Sequence, residues 1–547
     1  MLASDVEAEL RAAISRILQS RSQRKLIIAG PGTGKTSFFR TLLEASSGDQ
    51  RSRLVLTFIK NLKADLERNL ADLASVYTLH GYCQSLLHRH PALRGGLTSR
   101  FRCLPSLASL IMDDWTYLRD GPAPHFVDQM RDLSCGEDVA FYFERANYYD
   151  AVDFDDSVYR TLTELRKNPA PVKGYDLVLI DEYQDFNRME AAVIDLLADS
   201  NQIVIAGDDD QALYSQLRGA SWDHIRALYR REDYEFFPLP FCMRCPEVIV
   251  GAVNDVVSKA RELKRLEGRI DKPYRHYEPV KGADSRRYPK IGLVMSSVQR
   301  QNANYFGRYI EEAIRAIAEE ELKEAEEKGE PAALIIGSRQ YLRQIEMHLA
   351  GVGYTIDTGR KRGMRLERAQ GLEILAEDPE SNLGWRVVLH FEKPLAAASC
   401  IRSSASRRSS LVGALPEKFK SAALEEALRW VKEHREKPEG RSPDEGVGPS
   451  IKLTSFEGAK GLSAQHVFIV GLHAGDLPRD VNNIADLEVC KFLVGLTRTK
   501  KKCSLLVTRQ FAGKPKTPSP FLRWISGERY ELTKITAQYW ARAAEAK

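Results

Sequence analysis

The sequence predicts an α/β fold built on parallel sheets. Short apolar runs, which are typical of buried strands, alternate along the chain with segments of helical spacing. Glycine, lysine and carboxylate residues follow directly after several of these runs. Because parallel sheets bind their ligands at the carboxyl ends of the strands, the same pattern indicates one shared binding site.

The first half of the chain supplies one set of these signals. A predicted helix at residues 6–19 precedes a strand at residues 26–29. Further strands are predicted at residues 53–58, 74–83, 175–186 and 201–214. Residues 84–150 are rich in aromatic side chains and contain turn signals, which favours a helical insertion within this set.

A second set of signals begins near Leu239. Strands are predicted at residues 290–295, 332–338, 452–456 and 466–472, with one long helix at residues 302–328. The acidic run at the end of that helix is interpreted as a solvated face. Residues 376–450 interrupt this set with a serine- and arginine-rich stretch and a linker rich in proline, glycine and charge.

These signals give the predicted domain boundaries. The first α/β domain would comprise residues 1–84 and 151–240, with the helical insertion at residues 85–150. The second would comprise residues 241–375 and 451–530, with a reduced insertion or linker at residues 376–450 and a C-terminal helix or tail at residues 531–547.

Length and composition favour a globular protein of several domains. The chain has 547 residues, of which 43% are hydrophobic and 28% are charged. It begins without the features of a signal peptide and contains no apolar run long enough to span a bilayer, so we expect a cytoplasmic protein without a membrane partner. The eight scattered cysteines suit a reducing compartment, and the net charge of +5 permits a nucleic-acid groove without requiring one.

A glycine-rich loop joins the first predicted strand to the next helix. Its residues are Ala29, Gly30, Pro31, Gly32, Thr33, Gly34, Lys35, Thr36 and Ser37. Glycines allow backbone N–H groups to turn toward a phosphate, and the helix adds its positive N-terminal end. Lys35 is expected to reach the β- and γ-phosphates, and the Thr36 hydroxyl is expected to hold Mg²⁺. The alternative, a chance glycine-rich turn, does not require Gly-Lys-Thr at this place.

Paired carboxylates follow the predicted strand that begins at residue 175. Asp181 is placed to hold Mg²⁺, directly or through water, and Glu182 to orient and deprotonate an attacking water. The alternative is an acidic cluster at a helix N-terminus, which stabilises a helix by about 1 kcal/mol at most. The glycine-rich loop earlier in the chain favours the catalytic interpretation.

An ordered series of motifs resembles the superfamily 1 helicases of the UvrD/Rep/PcrA type. The motifs are AGPGTGKT, LTFIKN, YTLHGYC, DFDD, IDEYQD, AGDDDQALY, RGA, FCMRCP, FEGAKGL and VGLTRTK. They extend over nearly the whole chain, which is far more specific than any one motif. The resemblance implies two RecA-like domains with ATP and Mg²⁺ between them, a helical insertion, a shortened accessory insertion and single-stranded DNA across the top.

The resemblance also implies roles for individual residues in the nucleotide site. Gln211 would sense the γ-phosphate, and Arg244 and Arg498 would approach it from the second domain. Two guanidinium groups stabilise the charge of phosphoryl transfer only when the cleft between the domains closes. Gly461 would line the nucleotide site. Taken singly, each arginine would be interpreted as a surface residue, and only the motif context favours the catalytic role.

Contacts with DNA are implied at five positions. Aromatic faces stack on bases and hydroxyl groups donate to phosphates. The implied residues are Thr57, Phe58, Thr78, His80 and Tyr214. Core packing is the alternative for Phe58 and Tyr214, and the basic segments at residues 259–269 and 499–503 either flank a groove or form a solvated face.

Several positions depart from the family pattern. The glutamine expected to read adenine has no clear counterpart, since Gln19 and Gln23 are too close to the glycine-rich loop. Met243 replaces an aromatic residue expected to stack on adenine, and Ser463 replaces an acid expected near the ribose. Gln216 replaces a tryptophan expected to stack on DNA. Base and sugar selectivity are therefore open, whereas the residues for phosphate chemistry are present.

A CxxC pair, Cys242 and Cys245, lies inside one of the motifs. A zinc or iron–sulfur site is the alternative interpretation, but the sequence has no second CxxC. No separate cluster of carboxylates with a lysine indicates a nuclease site. Neither feature therefore changes the prediction.

Two functions stay open at this stage. The first is an ATP- and Mg²⁺-dependent translocase or helicase on single-stranded or tailed duplex DNA, moving 3′ to 5′ as the family does. The second is an NTP-gated DNA-sensing or regulatory subunit of a repair or antiviral defence complex, as in Gabija, with a nuclease or effector protein as partner. An inactive scaffold fits poorly, because the loop lysine, the carboxylates and both arginines are present.

Overall fold

The computed structural model describes most of the chain. The described residues are 3–46, 48–58, 60–134, 136–214, 219–300, 303–359, 366–392, 394–407, 409–435, 449–536 and 539–540. Gln216, the start of the RGA motif and most of the predicted linker before residue 450 lie outside the described residues.

Helices and strands alternate along most of the chain. The strands are β1 (Arg24–Ala29), β2 (Arg53–Thr57), β3 (Ser75–Thr78), β4 (Arg102–Cys103), β5 (Ala151–Val152), β6 (Leu177–Ile180), β7 (Ile203–Gly207), β8 (Glu235–Leu239), β9 (Phe241–Cys242), β10 (Arg275–His276), β11 (Ile291–Ser296), β12 (Ala333–Ile336), β13 (Ile356–Asp357), β14 (Ile451–Thr454), β15 (Ala464–Val470), β16 (Thr499–Thr508), β17 (Gln510–Phe511), β18 (Lys514–Pro515) and β19 (Tyr530–Ile535). The helices are α1 (Ala3–Gln19), α2 (Lys35–Ala45), α3 (Lys60–Leu70), α4 (Leu79–Arg89), α5 (Leu107–Leu118), α6 (Phe126–Arg131), α7 (Glu137–Tyr149), α8 (Phe154–Lys167), α9 (Arg188–Ala198), α10 (Trp222–Tyr229), α11 (Glu247–Glu262), α12 (Glu278–Arg287), α13 (Tyr305–Arg315), α14 (Glu319–Glu327), α15 (Arg339–Gly351), α16 (Arg368–Glu377), α17 (Asn382–His390), α18 (Pro394–Arg407), α19 (Glu417–Arg435) and α20 (Asp486–Leu496).

The first sheet contains six parallel strands among the described residues, in the order β3-β2-β6-β7-β1-β8. Its apolar runs are buried, as the fully buried Leu26, Ile27 and Ile28 of β1 illustrate. In register, Ile28 lies opposite Gly207, the last residue of β7. The carboxyl ends of β6, β7 and β1 therefore lie side by side at one edge of the sheet.

The second sheet contains seven parallel strands among the described residues, in the order β13-β14-β12-β15-β16-β11-β19. The four strands predicted in the second half of the chain correspond to β11, β12, β14 and β15. The fold is thus α/β, with two RecA-like domains built on parallel sheets, as the sequence predicts. No described helix is long and apolar enough to cross a membrane.

Two local predictions are wrong. The long helix predicted at residues 302–328 is divided into α13 and α14. The break allows Glu321 to be fully buried, where it lies 2.9 Å from His466 Nε2 and accepts a hydrogen bond from Tyr288 Oη at 2.8 Å, so the acidic run is not wholly solvated. The strand-like segment at residues 74–83 ends at Thr78, because the Thr78 hydroxyl accepts the N–H of Gly81 at 3.1 Å and caps α4.

Two helical units accompany the sheets. The first contains α5, α6 and α7, and the second contains α16, α17, α18 and α19. Helix α16 packs against α17 and α19 through an apolar cluster that includes Leu372, Leu375 and Trp385. The second unit therefore begins before residue 376, the predicted start of the insertion.

A buried ion cluster joins the two helical units. Arg386 of α17 donates from Nε to Asp114 Oδ1 of α5 at 2.7 Å, and the side chains are 1% and 0% exposed. The other oxygen of Asp114 accepts from Arg145 Nε at 2.8 Å and from Tyr149 Oη at 2.5 Å. Since both carboxylate oxygens are bonded, this contact fixes the second unit on the first.

Replacement of Arg386 tests whether this cluster holds the units together. We expect Arg386→Met to lower the free energy of unfolding by about 3 kcal/mol, because it removes one partner of a buried ion pair. Arg102→Met is the control, since Arg102 of β4 contacts the second unit through an exposed pair with Glu377 of α16, and we expect a loss of about 0.5 kcal/mol or less. Chemical denaturation measures both, and equal losses would contradict the account.

Candidate functional site

The glycine-rich loop between β1 and α2 is shaped to hold an anion. Gly32 and Gly34 have φ angles of 73° and 84°, in the left-handed region that favours glycine. The Thr33 N–H and hydroxyl both donate to the Gly30 carbonyl, at 3.3 and 2.9 Å, and this closes the loop. Gly34 provides no side-chain cap for α2, so the N–H groups of the first helical turn are available to a phosphate.

The Lys35 side chain contacts the carboxylates that follow β6. Its ammonium is 2.6 Å from Glu182 Oε1, and the two side chains are only 13% and 10% exposed. Burial alone would raise the pKa of Glu182, but Lys35 and Lys460 outweigh it and lower this pKa to about 2. Burial raises the pKa of the adjacent Asp181 to about 6. Glu182 also has a φ of 54°, a strained value for a residue other than glycine.

Gln211 connects the first domain to Arg498 of the second. Its Nε2 donates to Asp208 Oδ2 at 2.8 Å, and its Oε1 accepts from Arg498 Nη2 at 3.0 Å. The Arg498 side chain is almost fully buried, and burial together with the nearby Arg244 lowers its pKa to about 10. A guanidinium from the second domain is thus fixed at the edge where β6 and β7 end.

Arg244 lies directly against the glycine-rich loop. The N–H of Met243 donates to the Gly32 carbonyl at 2.8 Å, and Arg244 Nη1 donates to the Thr497 carbonyl at 3.3 Å. A Cβ atom added at Gly32 would lie 2.5 Å from the Cβ of Arg244. The residues predicted as catalytic therefore lie at one edge of the first sheet. They form the pair Lys35–Glu182 beside Asp181, the pair Gln211–Arg498, and Arg244 against the glycine-rich loop.

Two further residues, Lys460 and Tyr274, lie at this edge, and neither was predicted from the sequence. The Lys460 ammonium is 2.7 Å from Asp185 Oδ2 and also donates to the Gln211 carbonyl. Burial raises the pKa of Asp185 to about 7, even though Lys460 opposes the shift. The Tyr274 hydroxyl donates to the Pro31 carbonyl at 3.0 Å. Lys460 lies in the FEGAKGL motif, which could have revealed it, whereas Tyr274 lies in a segment without a motif.

A cleft of about 840 Å³ opens beside the loop, and Thr36, Ser37 and Gly461 line it. Ser463, which replaces the acid of the family pattern, donates from its hydroxyl to Glu330 Oε1 at 3.1 Å. Glu330 also lines the cleft. A carboxylate is therefore present on this wall of the cleft, contributed by a different part of the chain.

Two of the predicted DNA contacts are packed aromatic residues. Phe58 is 5% exposed, and its ring centroid is 5.7 Å from that of Phe186 and 5.5 Å from that of Tyr214. The Tyr214 hydroxyl donates to the Glu457 carbonyl at 3.1 Å. A base could stack on Phe58 only after these side chains separate, so the DNA-contact role of both residues stays a prediction.

The other three predicted DNA contacts lie near the same edge. Thr57 ends β2 and is fully buried, and its hydroxyl has no hydrogen-bond partner among the described residues. The Thr78 hydroxyl caps α4. His80 is 6% exposed, with Nε2 3.2 Å from Glu190 Oε1. Their contact with DNA also stays a prediction.

Comparison with known protein families identifies the first domain. Residues 10–118 and 126–233 match the family described as the UvrD/REP helicase N-terminal domain. Over these residues the chain is similar to the helicases of the UvrD/Rep/PcrA type. The matched residues include the glycine-rich loop, the carboxylates after β6 and Gln211, so the family match and the geometry concern the same site.

Individual relatives extend the similarity beyond the first domain. An ATP-dependent DNA helicase PcrA of Staphylococcus epidermidis is 26% identical over 44% of this chain, and the matched region spans 38% of that relative's length. DNA helicase II of Salmonella typhimurium is 22% identical over 94% of this chain and 86% of its own. A probable DNA helicase II homolog of Mycoplasma pneumoniae is 21% identical over 93% of this chain and 86% of its own.

The approach of Arg244 to Gly32 can be tested by adding one methyl group. Gly174 has a φ of 94° and no neighbour within 4 Å of an added Cβ, so Gly174→Ala isolates the backbone strain, about 1 kcal/mol. We expect Gly32→Ala to cost about 1–3 kcal/mol more in the free energy of unfolding, because the added Cβ overlaps Arg244. Chemical denaturation of both variants checks this, and equal losses would show that the loop and Arg244 are not in contact.

Proposed function

We propose that this chain hydrolyses ATP between its two RecA-like domains and uses the reaction to move along single-stranded DNA in the cytoplasm, in the 3′ to 5′ direction. The observation that carries the proposal is that Lys460 joins two contacts, the pair of Lys35 with Glu182 and the hydrogen bond between Arg498 and Gln211. Its ammonium is 3.8 Å from Glu182 Oε2 and donates to the Gln211 carbonyl, so charges from both domains meet at one edge. The similar proteins described above are an ATP-dependent DNA helicase and a DNA helicase II, which supports ATP-dependent action on DNA.

The glycine-rich loop, residues 29–37, would bind the phosphates of ATP. Thr36 and Asp181 would hold Mg²⁺, and the buried carboxylate of Asp181 suits a hard cation that prefers oxygen ligands. When bound there, the ion would neutralise charge on the phosphate oxygens. Gly461 would lie at the wall of the same cleft.

Glu182 would act as the general base. In this structure its carboxylate is paired with Lys35, which keeps its pKa low and makes it a weak base. Phosphates that bind in the loop compete for the Lys35 ammonium. When Lys35 turns to them, Glu182 loses a positive neighbour and its pKa rises, so that it can accept a proton from water.

Gln211, Arg244 and Arg498 would stabilise the charge that develops on the γ-phosphate. Arg498 and Gln211 belong to different domains, so their contact depends on how closely the domains approach. Binding or hydrolysis at the γ-phosphate would therefore alter the distance between the two domains. This coupling is what a motor requires.

DNA would run across the carboxyl-end edge, where Thr57, Phe58, Thr78, His80 and Tyr214 lie. The Tyr214 hydroxyl donates to the Glu457 carbonyl of the second domain and its ring packs on Phe58, so movement of that domain would change the distance between the two rings. Separation of the two rings would open a space for a base. DNA binding and ATP binding would thus act on the same pair of domains.

A second candidate is an NTP-gated DNA sensor that signals to a nuclease or effector protein in repair or antiviral defence. The buried contact between Arg386 and Asp114 favours it, because this contact fixes the accessory helices in one position. Such a protein would hydrolyse ATP with little unwinding of duplex DNA.

Substitutions at the loop and at the carboxylates test the catalytic roles. We expect Lys35→Ala and Glu182→Gln each to lower kcat for ATP at least about 100-fold, since the first removes the phosphate cation and the second removes the base. Phosphate release with excess MgATP measures this. Lys173→Ala, at an exposed lysine away from the site, is the control. Near-normal hydrolysis by either variant would refute the assignment.

A strand-displacement assay separates the motor from the sensor. For a motor, single-stranded DNA stimulates ATP hydrolysis and a 3′-tailed duplex is unwound, whereas a 5′-tailed duplex is not. Stimulated hydrolysis without displacement supports the sensor. No effect of DNA on hydrolysis argues against both.

A further inference from the structure

Three consecutive aspartates at the end of β7 form a compact acidic cluster. Asp208, Asp209 and Asp210 are all buried, and one carboxylate oxygen of each lies within 4.8 Å of the others. Among the described residues this is the set with the spacing of metal ligands. Three buried carboxylates require a cation, because uncompensated buried charge is strongly destabilising.

That cation is an ammonium group of the protein itself. The Nζ atom of Lys272 is 2.6 Å from Asp208 Oδ1, 2.7 Å from Asp209 Oδ1 and 3.0 Å from Asp210 Oδ2. The Lys272 side chain is 3% exposed. Lys272 therefore occupies the position that a metal ion would take between the three carboxylates.

Two arginines also bind carboxylates of this cluster. Arg269 donates to both oxygens of Asp210, and Arg226 donates from Nε to Asp209 Oδ2 at 3.0 Å. Asp208 is different, because its second oxygen accepts from Gln211 Nε2 at 2.8 Å. Asp208 thus contacts Lys272 through one carboxylate oxygen and fixes the amide of Gln211 through the other.

The orientation of the Gln211 amide determines which of its two polar atoms, Nε2 or Oε1, faces the second domain. With Nε2 bonded to Asp208, Oε1 faces Arg498 Nη2 at 3.0 Å. Lys272 lies between α11 and β10, and α11 packs in the core of the second domain. Lys272 and Arg498 therefore reach Gln211 from the same domain, one through Asp208 and the other directly.

We propose that Lys272 is a positioning residue for the nucleotide site: its ammonium takes the place of a metal ion among Asp208, Asp209 and Asp210, and through Asp208 it orients Gln211. The inference rests on the proposed ATP hydrolysis. It adds a second connection from the second domain to Gln211, separate from Arg498.

A double-mutant cycle tests the connection to Gln211. We expect Lys272→Met to lower kcat about tenfold or more at little change in KM for ATP, because Gln211 loses its orientation. In a Gln211→Ala background the same substitution should change kcat less than about twofold. A purely structural role would lower the activity by the same factor in both backgrounds.

Arg226→Met is the matched control, because Arg226 pairs with Asp209 and does not touch Asp208. Its effect on kcat should be the same with and without Gln211. If Lys272→Met does not fold, Lys272→Met with Asp209→Asn restores the charge balance and enters the same cycle. An unchanged Lys272 effect in the Gln211→Ala background overturns the inference, whereas a wild-type chain without ATP hydrolysis overturns the proposed function instead.

The claim that Lys272 replaces a metal ion has its own test. In Lys272→Ala the three carboxylates surround an empty position, so Ca²⁺ should raise the melting temperature of this variant in the absence of nucleotide. The wild type and Arg226→Met should show no such shift. An equal response of all three proteins contradicts the replacement.

Discussion

The structure depends on the neutralisation of carboxylates that are buried at the carboxyl ends of β6 and β7. Glu182 is paired with Lys35, Asp185 with Lys460 and Asp208 with Lys272. The side chains of each pair are largely buried. A buried charge that is left without a partner lowers the free energy of unfolding by several kcal/mol. Lys460 and Lys272 belong to the second domain, so the approach of the two domains is itself part of the charge balance.

This balance explains how the site could respond to ATP. In the proposed reaction, phosphates and Mg²⁺ would bring new charges to an edge where the existing ion pairs already neutralise one another. Binding would therefore rearrange these pairs. Phosphate binding would act first on the pair of Lys35 and Glu182, because Lys35 is the first residue of the helix that follows the glycine-rich loop. The contacts of Gln211 with Asp208 and Arg498 then extend the change to the second domain.

The sequence predicted the glycine-rich loop and nine of the thirteen described strands of the two sheets, because periodicity and glycine content are local properties; it did not predict β8, β13, β16 or β19. It could not predict the break between α13 and α14, since Glu321 is buried by its partner His466, far along the chain. Lys272 and Tyr274 were missed for the same reason: their partners lie in the first domain and no motif surrounds them. The packing of Phe58 on Tyr214 likewise depends on tertiary contacts.

The central claim is that the two domains form one catalytic site with charges from both, and turnover of an Arg498→Ala variant tests it most directly. The account predicts that kcat for ATP falls about 1,000-fold, because Arg498 stabilises the transition state from the second domain. The dissociation constant for a non-hydrolysable ATP analogue should change less than about tenfold, since the loop of the first domain supplies most phosphate contacts. Turnover close to that of the wild type would contradict the account.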